Sequence, residues 1–435
     1  MTELKEQILK LVKDFYYENH LPKKFIPSQS SVPVSGKVYD HTDLQNLVEA
    51  SLDFWLTAGR FNAEFEKSLA NYLQVRQVLT CNSGSSANLI ALSALTSNLL
   101  KDKALKAGDE VITCATGFPT TINPILMNGL TPVFLDVNIP SYNIDTAKLE
   151  EAITEKTKAI MIAHTLGNPF DLEKISAIAK KYNLFLIEDA CDALGAEYNG
   201  KKVGTFGDVG TLSFYPAHHI TMGEGGAVFT NNAILKMVME SIRDWGRDCY
   251  CETGKDNTCN KRFCQQLGEL PFGYDHKYTY SHLGYNLKIT DMQASIGLSQ
   301  LQHLPKFIEK RIENFNFLLK NFQQFEEFFI LPQSAPKAKP SWFGFALTLR
   351  ENVKFSRQEL IIFLEENKIA TRLLFGGNLL KQPYMQNKNH KIIGDLKNSD
   401  IVMNNSFWIG VYPAIGMEQL NYVVTIFKKF MEKNA

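Results

Sequence analysis

Thr211-Leu-Ser-Phe-Tyr-Pro-Ala-His-His-Ile-Thr-Met-Gly-Glu-Gly-Gly-Ala-Val-Phe-Thr230 is the stretch from which the fold of this chain is predicted. Its first residues alternate between polar and apolar side chains, as expected for a strand. Gly225–Thr230 is typical of a turn that leads into a second short strand. The connection contains His218 and His219 and then a glycine-rich turn, through which backbone can approach a ligand closely. The stretch therefore predicts two strands with a ligand site between them.

Strand and helix patterns alternate on the amino-terminal side of this stretch. The patterns predict strands at Val133–Val137, Ala159–Ala163 and Leu184–Glu188 and helices at Thr146–Ile153 and Asp171–Tyr182. Such alternation indicates a mostly parallel sheet with helices on both faces, and ligands of such sheets bind at the carboxyl ends of the strands. We therefore expect an α/β fold whose site lies at one edge of the sheet.

The length of 435 residues predicts more than one domain. We expect a helix and connector at residues 1–42, a large domain at 43–300 with a cysteine-rich insertion at about 244–275, and a small domain at 301–435. Basic and acidic residues balance at 46 each, which does not indicate a nucleic-acid surface. The sequence has neither a membrane-length apolar run nor a secretory signal pattern, and we expect a cytoplasmic protein.

The central stretch resembles the cofactor-anchoring segment of the vitamin B6-dependent sugar aminotransferases and dehydrases. In those aminotransferases a lysine that binds pyridoxal phosphate (PLP) covalently lies five residues after the serine of a Ser-Phe pair, and Glu-Gly-Gly begins six residues later. Here the corresponding residues are Ser213, His218 and Glu224, so the spacing is kept and the lysine is replaced. The resemblance implies a fold type I (aspartate aminotransferase-like) large domain and a smaller carboxyl-terminal α+β domain.

Two further segments offer groups that such a cofactor needs. Asn82-Ser-Gly-Ser-Ser86 begins an Ala/Leu-rich helix, where free N–H groups and hydroxyls form an anion site; a plain helix cap is the alternative. Phe118 offers an apolar face for a flat ring, or else packs in the core. The resemblance implies that Gly84, Ser85 and Ser213 bind the phosphate and that Phe118 stacks on the ring.

The resemblance also implies roles for one acidic and one amide residue. A pyridine-type ring accepts electrons only while its nitrogen stays protonated, and a carboxylate beside that nitrogen achieves this. Asp189 matches the family position for this role, whereas Glu188 is expected to point the other way along the strand. Asn286 matches a residue that reaches the cofactor phosphate of the neighbouring subunit, which implies a homodimer; a turn residue is the alternative.

Four cysteines lie within sixteen residues, at positions 249, 251, 259 and 264. Read locally, Cys249, Cys251, Cys259 and Cys264 are typical ligands of either zinc or an iron–sulfur cluster. The spacing Cys191-x57-Cys249-x-Cys251-x7-Cys259 is similar to the [2Fe–2S] pattern of the iron–sulfur 3-dehydrases in this family. That resemblance implies Cys191 as the fourth ligand. Cys191 follows Asp189 by two residues, at most about 7 Å along the chain, which would place the cluster beside the cofactor.

Histidine in place of lysine changes the chemistry that the resemblance implies. Without a covalent link, the cofactor is expected to bind as pyridoxamine phosphate (PMP), with His218 as the base because imidazole titrates near neutrality. His218 is preferred to His219, since neighbouring side chains of extended backbone point in opposite directions. The implied reaction is C3 dehydration of a CDP-linked 4-keto-6-deoxyhexose for bacterial surface polysaccharide (O-antigen). A flavin- and NADH-dependent reductase would supply electrons through the cluster.

Other functions stay open on sequence grounds. A PLP-dependent nucleotide-sugar aminotransferase needs a lysine, and Lys201 and Lys202 lie outside the spacing of the motif. A cluster-free dehydrase with a histidine base leaves the cysteine pattern unexplained. A cluster-binding electron-transfer protein without catalysis would not need Asp189, Ser85 or Phe118. The residues do not determine the nucleotide.

Overall fold

The structure is a computed structural model that describes residues 3–249, 251 and 254–434. Its helices are α1 Glu3–Asn19, α2 His41–Asp53, α3 Arg60–Leu73, α4 Gly84–Ala94, α5 Pro119–Met127, α6 Leu172–Lys181, α7 Ala233–Arg243, α8 Asp291–Phe322, α9 Arg357–Glu366, α10 Lys397–Asn405 and α11 Met417–Asn434. Its strands are β1 Gln77–Cys81, β2 Glu110–Cys114, β3 Thr131–Leu135, β4 Thr157–Ala163, β5 Phe185–Asp189, β6 Glu197–Tyr198, β7 Lys201–Lys202, β8 Val209–Ser213, β9 Gly226–Thr230, β10 Phe329–Ile330, β11 Ala338–Lys339, β12 Gly344–Leu349, β13 Lys391–Ile392 and β14 Ser406–Gly410.

The large sheet has eight strands in the order β1-β9-β8-β5-β4-β2-β3-β13. Neighbouring strands from β8 to β13 pair in parallel, whereas β9 is antiparallel to both β8 and β1. Its central strands are short, almost fully buried apolar runs, as expected for strands covered on both faces. The predicted mostly parallel sheet is confirmed.

Helices cover both faces of this sheet because their apolar residues recur at helical spacing. On one face α3, α6 and the first half of α8 pack against the strands, and on the other face α4, α5 and α7 do so. In α7 the buried apolar positions are Leu235, Val238, Met239 and Ile242, which form a single stripe. No helix in the described part of the chain is both long and apolar enough to cross a membrane.

The carboxyl-terminal part forms a second core around the antiparallel sheet β10-β12-β14, with α9 and α11 packed against it. Aromatic rings fill this core, for example Phe315 of α8, which stacks on Trp342 with 3.7 Å between ring centroids. Because α8 contributes to the cores on both sides, it joins the two parts rigidly. The boundaries expected at residues 42 and 300 stay a prediction.

The predicted helix at Thr146–Ile153 is wrong. Only a single 3₁₀ turn forms, at Thr146–Lys148, and the Asp145 side chain accepts a hydrogen bond from the N–H of Ala147 at its start. Leu149 is fully buried, so this short connection is held by side-chain packing rather than by a helical ladder. The other segments of the alternation correspond to β3, β4, α6 and β5.

Candidate active site

A cavity of about 370 Å³ lies where the carboxyl ends of the parallel strands meet the small domain. The segments that follow β1, β2, β4, β5 and β8 line one side of it, and Phe343 and Phe375 of the carboxyl-terminal part line the other. Seven residues predicted for the site line this cavity: Gly84, Ser85, Phe118, Asp189, Cys191, Ser213 and His218. The sheet brings them together because strands that run in the same direction end at the same edge.

Asp189 is buried at the end of β5 and is held in a fixed orientation. Its Oδ2 accepts hydrogen bonds from Nδ2 of Asn88 at 2.8 Å and from the Thr121 hydroxyl at 2.7 Å. Its Oδ1 accepts the backbone N–H of Cys191 at 3.1 Å, which leaves lone-pair capacity directed at the cavity. This arrangement suits a protonated ring nitrogen. Glu188 faces away, as expected, and accepts backbone N–H groups of the 204–207 turn.

The start of α4 forms a narrow polar cradle. The Ser83 side chain caps the helix by accepting the N–H of Ser86 at 3.0 Å, and the N–H groups of the first turn precede the intrahelical ladder. A Cβ on Gly84 would lie 2.4 Å from Cβ of Ser213, and a Cβ on Gly226 would lie 2.4 Å from the backbone of Ser83. Both positions need glycine, and the cradle that results fits a phosphate group at a helix start.

Phe118 precedes α5 and is 52% exposed, which excludes the core-packing alternative. Its ring meets Phe375 edge-on, with 6.0 Å between centroids and an interplanar angle of 89°. A T-shaped contact covers at most one face of the Phe118 ring, so the other face is available to a flat ligand. With Asp189 and the α4 cradle, the cavity offers the three contacts that a pyridoxal-type cofactor requires: a carboxylate, an aromatic face and an anion site.

His218 projects into the cavity from the connection between β8 and β9. Its Nδ1 is enclosed and lies 3.5 Å from Oδ1 of Asp192, and its ring lies 5.2 Å from that of Phe343. Burial lowers the pKa of His218 to about 4, and the positive charge of Arg311 adds to the effect. Burial likewise raises the pKa of Asp192 to about 8, with Asp189 contributing. Near neutral pH the imidazole is therefore unprotonated.

His219 is turned away from the cavity. Its Nε2 donates a hydrogen bond of 2.8 Å to the carbonyl of Ser341, and its side chain is buried. Burial lowers the pKa of His219 well below its ordinary range, and the charge of Arg311 adds to this. Of the two histidines, only His218 lines the cavity.

Arg311 is fully buried in the middle of α8 and was not identified from the sequence. Its guanidinium donates to the carbonyls of His218, Trp342 and Phe343 at 3.2 to 3.3 Å. It thereby joins the histidine connection to the segment whose Phe343 ring packs on His218. Burial lowers the pKa of Arg311 to about 10, which leaves it charged. No local sequence signal marks this position, because the contacts join segments that are distant along the chain.

The lowered pKa of His218 predicts a pH-dependent stability. An unfolded histidine titrates near 6.5 and folded His218 at about 4, so between these values the unfolded state binds more protons. The contribution of neutral His218 to the free energy of unfolding is fully present above pH 6.5 and is lost as the pH falls toward 4. At pH 5 the free energy of unfolding is lower by about 2 kcal/mol for this reason. We expect His218→Asn to abolish this part of the pH dependence. Urea unfolding of wild type and variant at about pH 7 and pH 5 measures the free energy of unfolding. The same change between the two pH values in both proteins would contradict the assignment.

Asn286 does not line the cavity of its own chain. It is exposed, and its Oδ1 accepts a hydrogen bond from Nζ of Lys288 at 2.8 Å. Its predicted contact is with a neighbouring subunit, so its role stays a prediction. Lys201 and Lys202 are also remote: the ammonium group of Lys201 donates to the carbonyl of Thr205, and that of Lys202 to Glu197. Among the described residues that line the cavity, none is a lysine.

Three of the predicted cluster ligands come together in the 244–275 insertion. Sγ atoms of Cys249 and Cys251 and a ring nitrogen of His276 lie within 4.8 Å of one another, and Sγ of Cys259 lies 3.4 Å from Nε2 of His276. The Thr258 hydroxyl and the N–H of Cys259 donate to Sγ of Cys251 and lower its pKa to about 7. These positions suit thiolate ligands.

Cys191 and Cys264, the remaining cysteines considered as metal ligands, lie elsewhere. Cys191 lines the cavity, with its Sγ 3.0 Å from the position of a Cβ on Gly84, and within the described residues it does not belong to the group of Cys249, Cys251 and His276. Burial raises the pKa of its thiol well above the usual range, and Asp189 adds to this. Cys264 is exposed. His276 was missed from the sequence; a histidine seventeen residues after Cys259 was the available signal.

Comparison with known proteins identifies one family and relatives whose sequences match nearly the whole chain. Residues 38–428 match the model of the DegT/DnrJ/EryC1/StrS aminotransferase family. The chain is 60% identical over 433 residues to the lipopolysaccharide biosynthesis protein RfbH of Salmonella typhimurium, covering 100% of this chain and 99% of that protein. It is 49% identical over 435 residues to the dTDP-4-dehydro-2,6-dideoxy-D-glucose 3-dehydratase of Saccharopolyspora spinosa, covering 100% of this chain and 94% of that protein.

Solved structures agree with these relatives. The structure of E. coli GDP-4-keto-6-deoxy-D-mannose-3-dehydratase with bound hydrated PLP matches with a TM-score of 0.82 and 27% identity, covering 91% of this chain and 99% of that one. The predicted fold type I, aspartate aminotransferase-like architecture is thereby confirmed.

Proposed function

We propose that this chain, which belongs to the DegT/DnrJ/EryC1/StrS aminotransferase family, is a CDP-4-keto-6-deoxyglucose 3-dehydrase. One observation carries the proposal: His218 lines the cofactor cavity at the position of the aminotransferase lysine, and no lysine is among the cavity's described residues. Without an amine for covalent attachment, transamination loses its usual route. The names of two relatives as sugar 3-dehydratases support dehydration at C3.

The cavity fits PMP through residues already described. Asp189 would hold the ring nitrogen, Phe118 would stack on the ring, and Gly84, Ser85 and Ser213 would bind the phosphate. When bound, PMP supplies an amine that condenses with the C4 ketone of the sugar and a ring that accepts electron density. Asn286 of a second subunit would complete the phosphate site, so we propose a homodimer.

His218 is the proposed base because of its geometry and protonation. Its Nδ1 is enclosed beside Asp192, which leaves Nε2 as the nitrogen that faces the cavity. An imidazole with a pKa of about 4 is neutral near pH 7 and accepts a proton at Nε2. Asp192, whose Oδ1 lies 3.5 Å from Nδ1, is largely protonated near pH 7 because burial raises its pKa to about 8, so it limits rotation of the ring rather than neutralising its charge. The same His218 would return a proton to the departing C3 hydroxyl.

Aromatic side chains form two walls of the cavity around this proton transfer. Phe343 packs on the His218 ring, and Phe375 meets Phe118 at the opposite wall. Phe343 is buried and shields one face of the imidazole, whereas Phe118 on the opposite wall is 52% exposed and leaves that side open to a ligand. The buried guanidinium of Arg311 holds Phe343 and the His218 backbone in register.

We further propose a [2Fe–2S] cluster bound by Cys191, Cys249, Cys251 and Cys259. The chemistry of the donor set supports it, since all four residues are thiols. Cys249 and Cys251 lie close together, Cys259 lies beside the adjacent His276, and Cys191 lies apart in the cavity. A cluster transfers electrons one at a time, which suits delivery from a flavin- and NADH-dependent reductase. The expected product is a 3,6-dideoxy sugar for O-antigen, in keeping with the lipopolysaccharide role in the name of the 60% identical relative.

The test is anaerobic incubation of the protein with PMP, a one-electron reductant and the 4-keto-6-deoxyhexose linked to CDP, GDP or dTDP. We expect loss of the C3 hydroxyl as water, with kcat/KM for the CDP sugar at least about tenfold above the others. Iron and sulfide should accompany the isolated protein. Formation of an amino sugar from glutamate would instead identify an aminotransferase. Absence of iron and sulfide after anaerobic reconstitution would overturn the cluster.

A further inference from the structure

The cysteine-rich insertion surrounds an imidazole as well as thiols. His276 is only 2% exposed, although the residues around it in the chain are largely exposed. One of its ring nitrogens lies within 4.8 Å of Sγ of both Cys249 and Cys251, and its Nε2 lies 3.4 Å from Sγ of Cys259. Three groups that bind soft or borderline metal ions therefore lie close together, and Cys259 adjoins them through its contact with His276.

The spacing of these atoms matches a single metal ion. In a tetrahedral zinc site with Zn–S bonds of about 2.3 Å, neighbouring ligand atoms lie about 3.5 to 3.8 Å apart. The separation of 3.4 Å between Cys259 Sγ and His276 Nε2 is close to this value, and the sulfurs of Cys249 and Cys251 lie within 4.8 Å of a His276 ring nitrogen. Binding of one ion would draw Cys259 toward the other two sulfurs. A [2Fe–2S] cluster distributes four ligands over two irons, so it does not require every ligand to surround one centre. Three sulfurs and one nitrogen form a common structural zinc set.

The backbone holds His276 in place before any metal binds. The residue begins the 3₁₀ turn His276–Tyr278, whose preceding Asp275 accepts the N–H of Lys277 at 3.0 Å. Two guanidinium nitrogens of Arg262 donate to the same Asp275 carboxylate at 2.8 and 3.0 Å. The N–H of His276 donates to the carbonyl of Arg262 at 3.3 Å. This preorganisation lowers the cost of ordering a ligand.

We propose that Cys249, Cys251, Cys259 and His276 form a binding site for one zinc ion that is complete without Cys191. Cys264, a local candidate for a fourth thiolate, is exposed and is replaced in this role by the imidazole. Because the zinc site and the [2Fe–2S] cluster use the same three thiolates, the zinc-bound and cluster-bound proteins are alternative states of one loop. The zinc site does not depend on the proposed reaction.

The test uses full-length protein freed of iron and kept anaerobic, with Co²⁺ as the probe because it occupies zinc sites and absorbs visible light. We expect one equivalent of Co²⁺ to bind with thiolate charge-transfer bands and the ligand-field bands of a four-coordinate ion, and one equivalent of Zn²⁺ to displace it. X-ray absorption of the zinc form should show three sulfurs and one nitrogen. His276→Ala should weaken binding at least about 100-fold.

Three further variants make the test decisive. His276→Cys should restore tight binding with stronger charge transfer, which separates ligand loss from misfolding. Cys264→Ser is the matched thiol control, and it should bind Co²⁺ as the wild type does. Cys191→Ser should also do so. Four sulfurs around zinc, an unchanged cobalt spectrum in His276→Ala, or loss of binding in Cys191→Ser would overturn the proposal.

This test and the test of the proposed function fail separately. The titration measures neither iron, sulfide nor loss of the sugar hydroxyl. A protein that assembles the cluster but binds cobalt without His276 overturns only the zinc site. A protein that binds zinc through His276 and never assembles a cluster overturns only the cluster assignment.

Discussion

His218→Asn is expected to lower turnover by about 10³-fold while leaving PMP bound, because the variant loses the proton acceptor but none of the groups assigned to the cofactor. Asparagine preserves a polar side chain of moderate size beside Asp192 but has no basic nitrogen. Since the pKa of His218 is about 4 in the free protein, wild-type kcat/KM should not decline between pH 7 and pH 5 through protonation of this base. Product formation under single-turnover conditions measures the loss, and the absorbance of retained cofactor measures binding.

His219→Asn is the matched control for this experiment. His219 is adjacent in sequence but bonds to the Ser341 carbonyl outside the cavity, so its replacement should lower stability and reduce turnover less than about tenfold. A larger loss of turnover in His219→Asn than in His218→Asn would reverse the assignment of the base.

His218→Lys provides a second readout at the same position. An amine at this position should bind PLP covalently, and borohydride should then fix the cofactor to the chain. Wild-type protein treated in the same way should release its cofactor on denaturation. If PLP is released from reduced His218→Lys, the side chain at position 218 does not reach the reactive carbon.

Asp189→Asn is expected to reduce turnover by about 10² to 10³-fold, because a neutral amide does not hold a proton on the ring nitrogen. The Thr121 hydroxyl and the Asn88 amide should still find an oxygen partner at the position of Oδ2, whereas the hydrogen bond from the N–H of Cys191 to Oδ1 is lost. The measurements are kcat with added PMP and the cofactor absorbance spectrum. Unchanged kcat with normal PMP binding would contradict the role of Asp189.

Asp192→Asn is the matched carboxylate control. Burial raises the pKa of Asp192 to about 8, so at pH 7 this group is largely protonated, and an amide imitates its neutral form. Turnover should therefore fall by less than about tenfold. A loss as large as that of Asp189→Asn would show that Asp192 acts as a carboxylate in the reaction, which would change the assignment of charges around His218.

Much of the site follows from local sequence because its residues come from segments directly after strands. The strand pattern at Leu184–Glu188 places Asp189 at a strand end, and the spacing from Ser213 to Glu224 places His218 in the same connection. Periodicity reports which residues are buried along one element, so it predicts strands and strand ends well. It failed at Thr146–Ile153, where packing of Leu149 holds a connection that forms no helix.

The sequence by itself determined the alternating α/β pattern, the cavity-lining segments and the replacement of lysine by His218, because each is written in consecutive residues. Only the tertiary structure decided that Arg311 joins the histidine connection to Phe343, and that His276 rather than Cys264 meets the loop thiols. It also decided the protonation of His218, since a pKa depends on burial and on charges brought close by packing. Contacts between segments that are distant along the chain leave no periodic signal in either segment, so they exist only once the chain has folded.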